Sequence, residues 1–282
     1  MIKDDDPERL REFLKRELGK RIGFVPTMGF LHDGHLSLVD AARKENDIVV
    51  VSIFVNPLQF GPSEDFEKYP RNIEKDCYLL EKSGVDFVFM PSPKMMYPSQ
   101  ALTTVAVPHF QNILCGKSRP GHFDGVTTVV AKLFNLVKPT NAYFGLKDYQ
   151  QFVIIKKMTV DLNFDIAIIG CPIVRESDGL AMSSRNSYLS QIEREQARHL
   201  YRGIHSIANE IFSGEFDLDR FKKRFDSYIT ESIPNAKIDY FEVLDAFTLE
   251  AVSESTTHVL LATAVFIGTI RLIDNMIMPF QE

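Results

Sequence analysis

Two histidines three residues apart, His32 and His35, stand in the stretch Met28-Gly29-Phe30-Leu31-His32-Asp33-Gly34-His35. A short apolar run, Arg21 to Val25, precedes it, and apolar residues at helical spacing, Leu36 to Asn46, follow. The order reads as a strand, a glycine-bearing turn and the first turn of a helix. A helix start offers unpaired amides and a partial positive charge, and small residues there let a phosphate come close. Ring N–H groups on the same turn would add donors to such a cradle. The plainer account is two histidines in one loop, one capping the helix. A metal pair is a third account, but the stretch lacks the glutamate of an HExxH helix and has no cysteine partner.

Other candidate donors lie further along. Ser183, Ser184 and Arg185 sit on a loop running from Val174 through Gly179 to Asn186. Two hydroxyls and a guanidinium can grip the oxygens of a triphosphate, although either serine can equally cap a helix. Gly145-Leu146-Lys147-Asp148 ends an apolar stretch, with Gln151 one helical turn beyond Lys147. Lys147 can neutralise a phosphate and Asp148 can accept from a ribose hydroxyl; a solvated helix start is the simpler reading of the pair. Asn56 and Gln59 follow the apolar run Asp47 to Val55, where side chains past the carboxyl end of a central strand meet ligands. Asn56 can alternatively cap a turn. Arg119 and His122 occupy a turn-rich segment that can order over a ligand or remain an exposed turn.

These residues need elements to hold them. The apolar run Asp47 to Val55 predicts a central parallel strand covered on both faces. Val85 to Met90, Ala142 to Phe144 and Asp165 to Gly170 predict further strands, and Thr103 to Val107 alternates as a short strand should. Helical spacing predicts helices over Pro7–Leu18, Asn72–Ser83, Val126–Val137, Glu193–Ser213 and Leu218–Ile233. Ile238–Leu244 and Thr257–Val265 read as strands of a small α+β unit, and Ile270–Asn275 follows near the end. The boundary falls near Cys171-Pro172, giving residues 1–172 and 173–282.

A chain of 282 residues can bury a large core in one domain or two. Its net charge of −6 disfavours a nucleic-acid partner while leaving a local phosphate pocket possible. Cys77, Cys115 and Cys171 are too few and too scattered for a disulfide framework or a structural zinc site, which fits a reducing cytoplasm. The acidic start, Met1 to Asp6, lacks the plan of a signal peptide, and no apolar stretch approaches the length of a membrane span.

The segment His32-Asp33-Gly34-His35 has the form of the HxGH signature of adenylate-transferring enzymes. With it, NPLQF, RPGHFDGV, FGLKDYQQ, MSSRN and RLIDN occur in order along nearly the whole chain. In this the sequence resembles the pantoate–β-alanine ligase family. One departure is Leu146, where a glutamate or glutamine is expected. The resemblance implies a Rossmann-like, doubly wound parallel sheet followed by a smaller α+β lid that carries the MSSR loop. It implies ATP contacts from Met28, Gly29, Phe30, Leu31, His32, Asp33, Gly34 and His35. Gly145, Leu146, Lys147, Asp148, Val174, Met182, Ser183, Ser184 and Arg185 would complete them. His32, His35, Lys147, Ser183, Ser184 and Arg185 are the expected catalytic donors, and Gln59, Gln151 and Asn56 the expected contacts to pantoate and β-alanine. Magnesium as cofactor, without a dedicated set of protein ligands, and a homodimer are implied as well. A nucleotidylyltransferase acting on a phosphate acceptor, and a nucleotide-binding regulator without turnover, are the competing readings.

Overall fold

The computed structural model describes residues 1–62, 64–98, 102–213 and 216–280. Contacts divide the chain into two compact units. The first comprises Met1–Asn112, Arg119–Leu146 and Gln151–Pro172; the second comprises Ile113–Ser118, Lys147–Gln150 and Ile173–Glu282. The division is therefore not purely sequential, because two short pieces from within the first stretch group with the C-terminal part.

The first unit opens with β1 (Ile2–Asp4) and α1 (Pro7–Arg16). Asp6 caps α1 by accepting from the Glu8 amide, and Pro7 fills the first helical position. Then come β2 (Ile22–Thr27), α2 (Asp33–Glu45), β3 (Ile48–Ile53), α3 (Ile73–Lys82), β4 (Phe87–Phe89) and α4 (Pro93–Met96). The short α5 (Leu114–Ser118) belongs to the second unit. After it, α6 (His122–Val137), β5 (Asn141–Gly145), α7 (Tyr149–Asp161) and β6 (Ala167–Cys171) complete the sheet and its helices.

Among the described residues the sheet has the order β1-β4-β3-β2-β5-β6, with every pairing parallel. β3, Ile48–Ile53, is buried along its whole length, as its unbroken apolar run requires of a central strand. The chain winds outward from β2 in one direction and returns to its other side with β5. The carboxyl ends of β2 and β5 thus meet at a topological switch point, where open α/β sheets bind ligands.

Thr103 to Val107 does not form a strand. The Val105 amide donates to Thr128 Oγ1 at 3.0 Å and its carbonyl accepts from Thr127 Oγ1 at 2.6 Å. Side-chain hydroxyls of α6 thereby satisfy the backbone groups that a neighbouring strand would otherwise pair.

The second unit contains α8 (Gln191–Ala197), α9 (His199–Phe212), α10 (Leu218–Ser232), β7 (Lys237–Asp245), β8 (His258–Ile267) and β9 (Ile270–Pro279). The three strands form an antiparallel sheet in that order. The single helix expected over Glu193–Ser213 is two, jointed at Arg198, and the first begins earlier through a capping box between Ser190 and Glu193. Apolar faces of α9 and α10, including Ile204, Ile207, Phe221 and Phe225, pack with Phe241, Val259, Leu261 and Val265 of the sheet. No helix among the described residues is long and apolar enough to cross a membrane.

Candidate active site

The turn after β2 is held from below by a residue that the sequence does not advertise. Asp76 of α3 accepts from the Phe30 amide at 2.8 Å and from the Leu31 amide at 2.8 Å. Burial pushes its carboxyl up from the usual aspartate value, and the two amide bonds oppose that rise without cancelling it. Thr27 Oγ1 adds a second brace, donating to the Ser52 carbonyl and accepting from the Gly29 amide at 3.2 Å. Gly29 has φ +82°, and a Cβ there would lie 2.9 Å from Ile53 and 3.0 Å from the Asp76 carboxylate. The turn is thus built for a glycine. Its Phe30 and Leu31 amides are engaged by Asp76.

His32 caps α2 from an extended conformation, and His35 sits one turn into the helix. Their rings lie 4.0 Å apart, centroid to centroid. The His32 amide donates to His35 Nδ1 at 3.4 Å.

Beside this turn the same unit places Gln59. Its Nε2 donates to Met28 Sδ at 3.1 Å and its Oε1 accepts from Asn56 at 3.2 Å. Asn56 is buried and fully used: its Oδ1 accepts from the Leu58 amide and from Tyr97 Oη, and its Nδ2 also donates to the Gly125 carbonyl. It therefore caps the short turn Pro57–Gln59, as one reading of the sequence allowed, and orients Gln59 in doing so. Gly125 sets the spacing: a Cβ there would lie 2.3 Å from the Leu58 carbonyl oxygen and 2.6 Å from the Gln59 nitrogen.

Arg119 and His122 turn inward onto this loop. Arg119 forks onto Glu64, through Nε at 2.7 Å and Nη2 at 2.5 Å, and Nη2 also donates to the Gln59 carbonyl at 3.3 Å. His122 Nδ1 lies 2.8 Å from that same carbonyl, and its Nε2 lies 3.0 Å from Arg119 Nη1. Burial raises the Glu64 carboxyl, but the Arg119 hydrogen bond and charge outweigh it and hold the group below the ordinary glutamate range. The pair that the sequence left open, to order over a ligand or to stay an exposed turn, thus braces the backbone of Gln59.

Gly145 ends β5, and Leu146 lies against β6, where a Cβ on Gly170 would come within 2.7 Å of the Leu146 side chain. The residue that departs from the family pattern is accordingly a packing residue here. Gln151 stands on the first turn of α7, half-buried.

The other expected phosphate contacts belong to the second unit. Lys147 is half-buried, its Nζ 3.8 Å from the carboxylate of exposed Asp148, a separation at which an ion pair contributes little. Val174 and Met182 face each other across a hairpin, with the Met182 amide donating to the Val174 carbonyl at 3.0 Å. Ser183 follows and accepts from the Arg185 amide at 3.3 Å, so it caps the turn Ser184–Tyr188. Asn186 Nδ2 ties that turn back to the Ala181 carbonyl at 3.1 Å. Ser184 is buried and Arg185 half-buried. Among the described residues no cluster of three or more His, Cys, Asp or Glu is placed to hold a metal ion.

The first unit therefore brings Met28, Gly29, His32, His35, Asn56 and Gln59 to one end of the sheet. The second gathers Lys147 and the Val174–Arg185 hairpin. Residues 4–277 match the family model for Pantoate-beta-alanine ligase. The chain belongs to the pantoate–β-alanine ligase family. It is 56% identical over 264 residues to the pantothenate synthetase of Caldicellulosiruptor saccharolyticus, covering 94% of this chain and 93% of that one. The crystal structure of pantothenate synthetase from Thermus thermophilus superposes with a TM-score of 0.92 at 43% identity, covering 98% and 99% of the two chains. The ligase from Francisella tularensis, solved in complex with beta-gamma ATP and beta-alanine, gives a TM-score of 0.80 at 38% identity, covering 98% and 97%. The two-part α/β architecture of this family is thus the architecture of this chain.

Asp76 and Gly125 are supports of these turns that reasoning from sequence missed, and the bracing of Gln59 by Arg119 and His122 is neither of the two roles it allowed them. Asp76 had a legible signal: a carboxylate on the face of an amphipathic helix that also presents Cys77 and Leu80 to the core. Gly125 had none, because its role depends on a backbone more than sixty residues away.

Proposed function

We propose that this chain condenses pantoate with β-alanine, using ATP, to form pantothenate with release of AMP and pyrophosphate. The match to the ligase family over residues 4–277 carries the reading. In the first half-reaction a pantoate carboxylate oxygen attacks the α-phosphorus and pyrophosphate leaves, giving pantoyl adenylate. In the second the free amine of β-alanine attacks the activated acyl carbon, the C–O bond to AMP breaks, and the ammonium proton is lost to solvent.

The physical demand is charge. An anion approaches a polyanion, and the leaving group carries more charge still, so preorganised donors stabilise the reaction without an enzyme nucleophile. His35, with His32 beside it, would donate from the helix start, and Met28 to His35 would line the nucleotide. Gly145, Leu146, Lys147, Asp148, Val174 and Met182 to Arg185 would supply the remaining ATP contacts, with the ammonium, hydroxyl and guanidinium groups meeting phosphate oxygens. Gln59 and Gln151 suit pantoate because neutral amides both donate and accept, matching hydroxyls and a carboxylate. Asn56 would serve that site by holding Gln59. We extend the proposal to a lid role for residues 173–282, a homodimeric assembly and a cytoplasmic location.

Magnesium fits this donor set in one way. Apart from Asp33 and Asp148 the charged groups above are cations, and among the described residues no cluster of three or more His, Cys, Asp or Glu stands ready for a metal, so the ion would be held mainly by the triphosphate and water, as Mg²⁺ commonly is. It would shield phosphate charge there.

An omission assay tests the reading. AMP should form only with ATP, pantoate and β-alanine together, while ATP and pantoate alone should support ATP–pyrophosphate exchange. Nucleotide transfer to a phosphate acceptor with no consumption of β-alanine would replace it with the nucleotidylyltransferase reading.

A further inference from the structure

The second unit contains a polar network that the proposed ligand contacts leave unexplained. Asp274 and Asn275 are consecutive on β9 and only 3% and 5% exposed. Buried polar side chains are costly unless bonded, so their partners show what they hold. Consecutive strand residues face opposite sides of a sheet, which lets one pair hold two different segments.

Arg175 donates to Asp274 as a fork, Nη1 to Oδ2 at 2.7 Å and Nη2 to Oδ1 at 2.9 Å. The same guanidinium donates to the Gly179 carbonyl at 3.0 Å and the Asn275 carbonyl at 3.3 Å, and stacks 4.2 Å over the Tyr201 ring. Arg175 bridges to Ala181 as the base of the hairpin that leads into Ser183–Arg185. On the other side, Asn275 Nδ2 donates to the Lys147 carbonyl at 2.8 Å. The far end of that turn is fixed too: Gln150 donates to the Ile113 carbonyl and accepts from the Cys115 amide, both at 2.9 Å. The Lys147 turn and the serine–arginine loop hang from adjacent residues of one strand.

We infer that Asn275, Asp274 and Arg175 are positioning residues that set Lys147 and the Ser183–Arg185 loop in one rigid frame, so that both meet a single nucleotide's phosphates at a fixed spacing. The inference rests on the phosphate-binding role proposed above for Lys147. Its physical basis is preorganisation: a donor displaced by about 1 Å can cost ~100-fold in rate. Without the Asn275 amide, the Lys147 carbonyl loses its tether and the turn is free to shift.

The test is a double-mutant cycle read by ATP–pyrophosphate exchange, using Asn275→Ala, Lys147→Ala and the double variant, with Asn275→Leu as a bulk-preserving check on folding. Asn275→Ala should lower kcat about tenfold or more while leaving the pantoate KM within about twofold. In the Lys147→Ala background the same change should cost less than about twofold, because groups that act as a unit are not additive. Asn275→Leu should repeat the kcat loss with a melting temperature close to that of the unaltered protein. Equal cost in both backgrounds, or normal exchange in both Asn275 variants while Lys147→Ala is impaired, overturns the positioning role alone. Near-normal exchange in Lys147→Ala removes the reading of Lys147 first, and the positioning role with it.

Discussion

His35 and Lys147 are the single residues on which the proposed chemistry bears most directly. Removing one preorganised donor from a developing phosphate charge costs about 10²–10³ in rate, roughly 3–4 kcal/mol. His35→Ala should therefore lose pantoate-dependent ATP–pyrophosphate exchange by that factor while keeping its circular dichroism spectrum, and unimpaired exchange would remove His35 from the site. His35 stands out as a candidate from type and spacing, because imidazoles on a glycine turn are poor core material, whereas Lys147 reads more simply as part of a solvated helix start and is singled out by the family resemblance. The residues that hold them do not stand out. Asp76 is one letter among thirty-eight acidic residues until the fold brings it under the Phe30 and Leu31 amides.

The Glu64–Arg119 pair gives a pH signature at the same scale. The folded glutamate value lies below the unfolded one, so its stabilisation is present above the unfolded value and is lost as pH falls through the folded value. Glu64→Gln should lower the melting temperature at neutral pH, and the gap to the unaltered protein should close under acid conditions below the ordinary glutamate range. A gap that persists or widens there would show that the pair does not act through charge.

At the scale of elements, α6 and the Pro57–Gln59 turn touch backbone to backbone through Gly125. The contact leaves no room for a methyl group, since a Cβ would sit inside the Leu58 carbonyl. Gly125→Ala should displace Gln59 and raise the pantoate KM several-fold with a smaller effect on the KM for ATP; unchanged constants for both would mean the turn relaxes without consequence. Periodicity reads the helices and the central strand β3 well, because a continuous apolar run leaves few alternatives to full burial. It fails at Thr103–Val107, where alternation is real but the partners are the hydroxyls of Thr127 and Thr128. Alternation reports that one face is covered and says nothing of what covers it.

At the scale of the whole molecule, a linear reading places residues 113–118 and 147–150 with the sheet that surrounds them in sequence, whereas their contacts join them to the C-terminal unit. Hydrogen bonds from Gln150 and Asn275 and the approach of Cys115 Sγ to Tyr240 Oη, 3.2 Å, explain the exchange. None of these has a periodic signal. A fragment of residues 173–282 would leave Tyr240 and Asn275 without these partners. It should melt broadly or aggregate when followed by circular dichroism, and a sharp transition at the temperature of the full chain would show that the borrowed pieces are dispensable.

The Lys147 turn and its tether on β9 also bear on how the molecule is made. The ribosome delivers residues 113–118 and 147–150 well before Asn275 exists, and a nascent chain keeps its last stretch inside the exit tunnel. The bond between Asn275 and Lys147 thus waits on a residue made 128 positions after Lys147. The parallel sheet can assemble before β9 exists, so a polypeptide stalled short of Asn275 would carry the histidine turn in place and the Lys147 turn untethered.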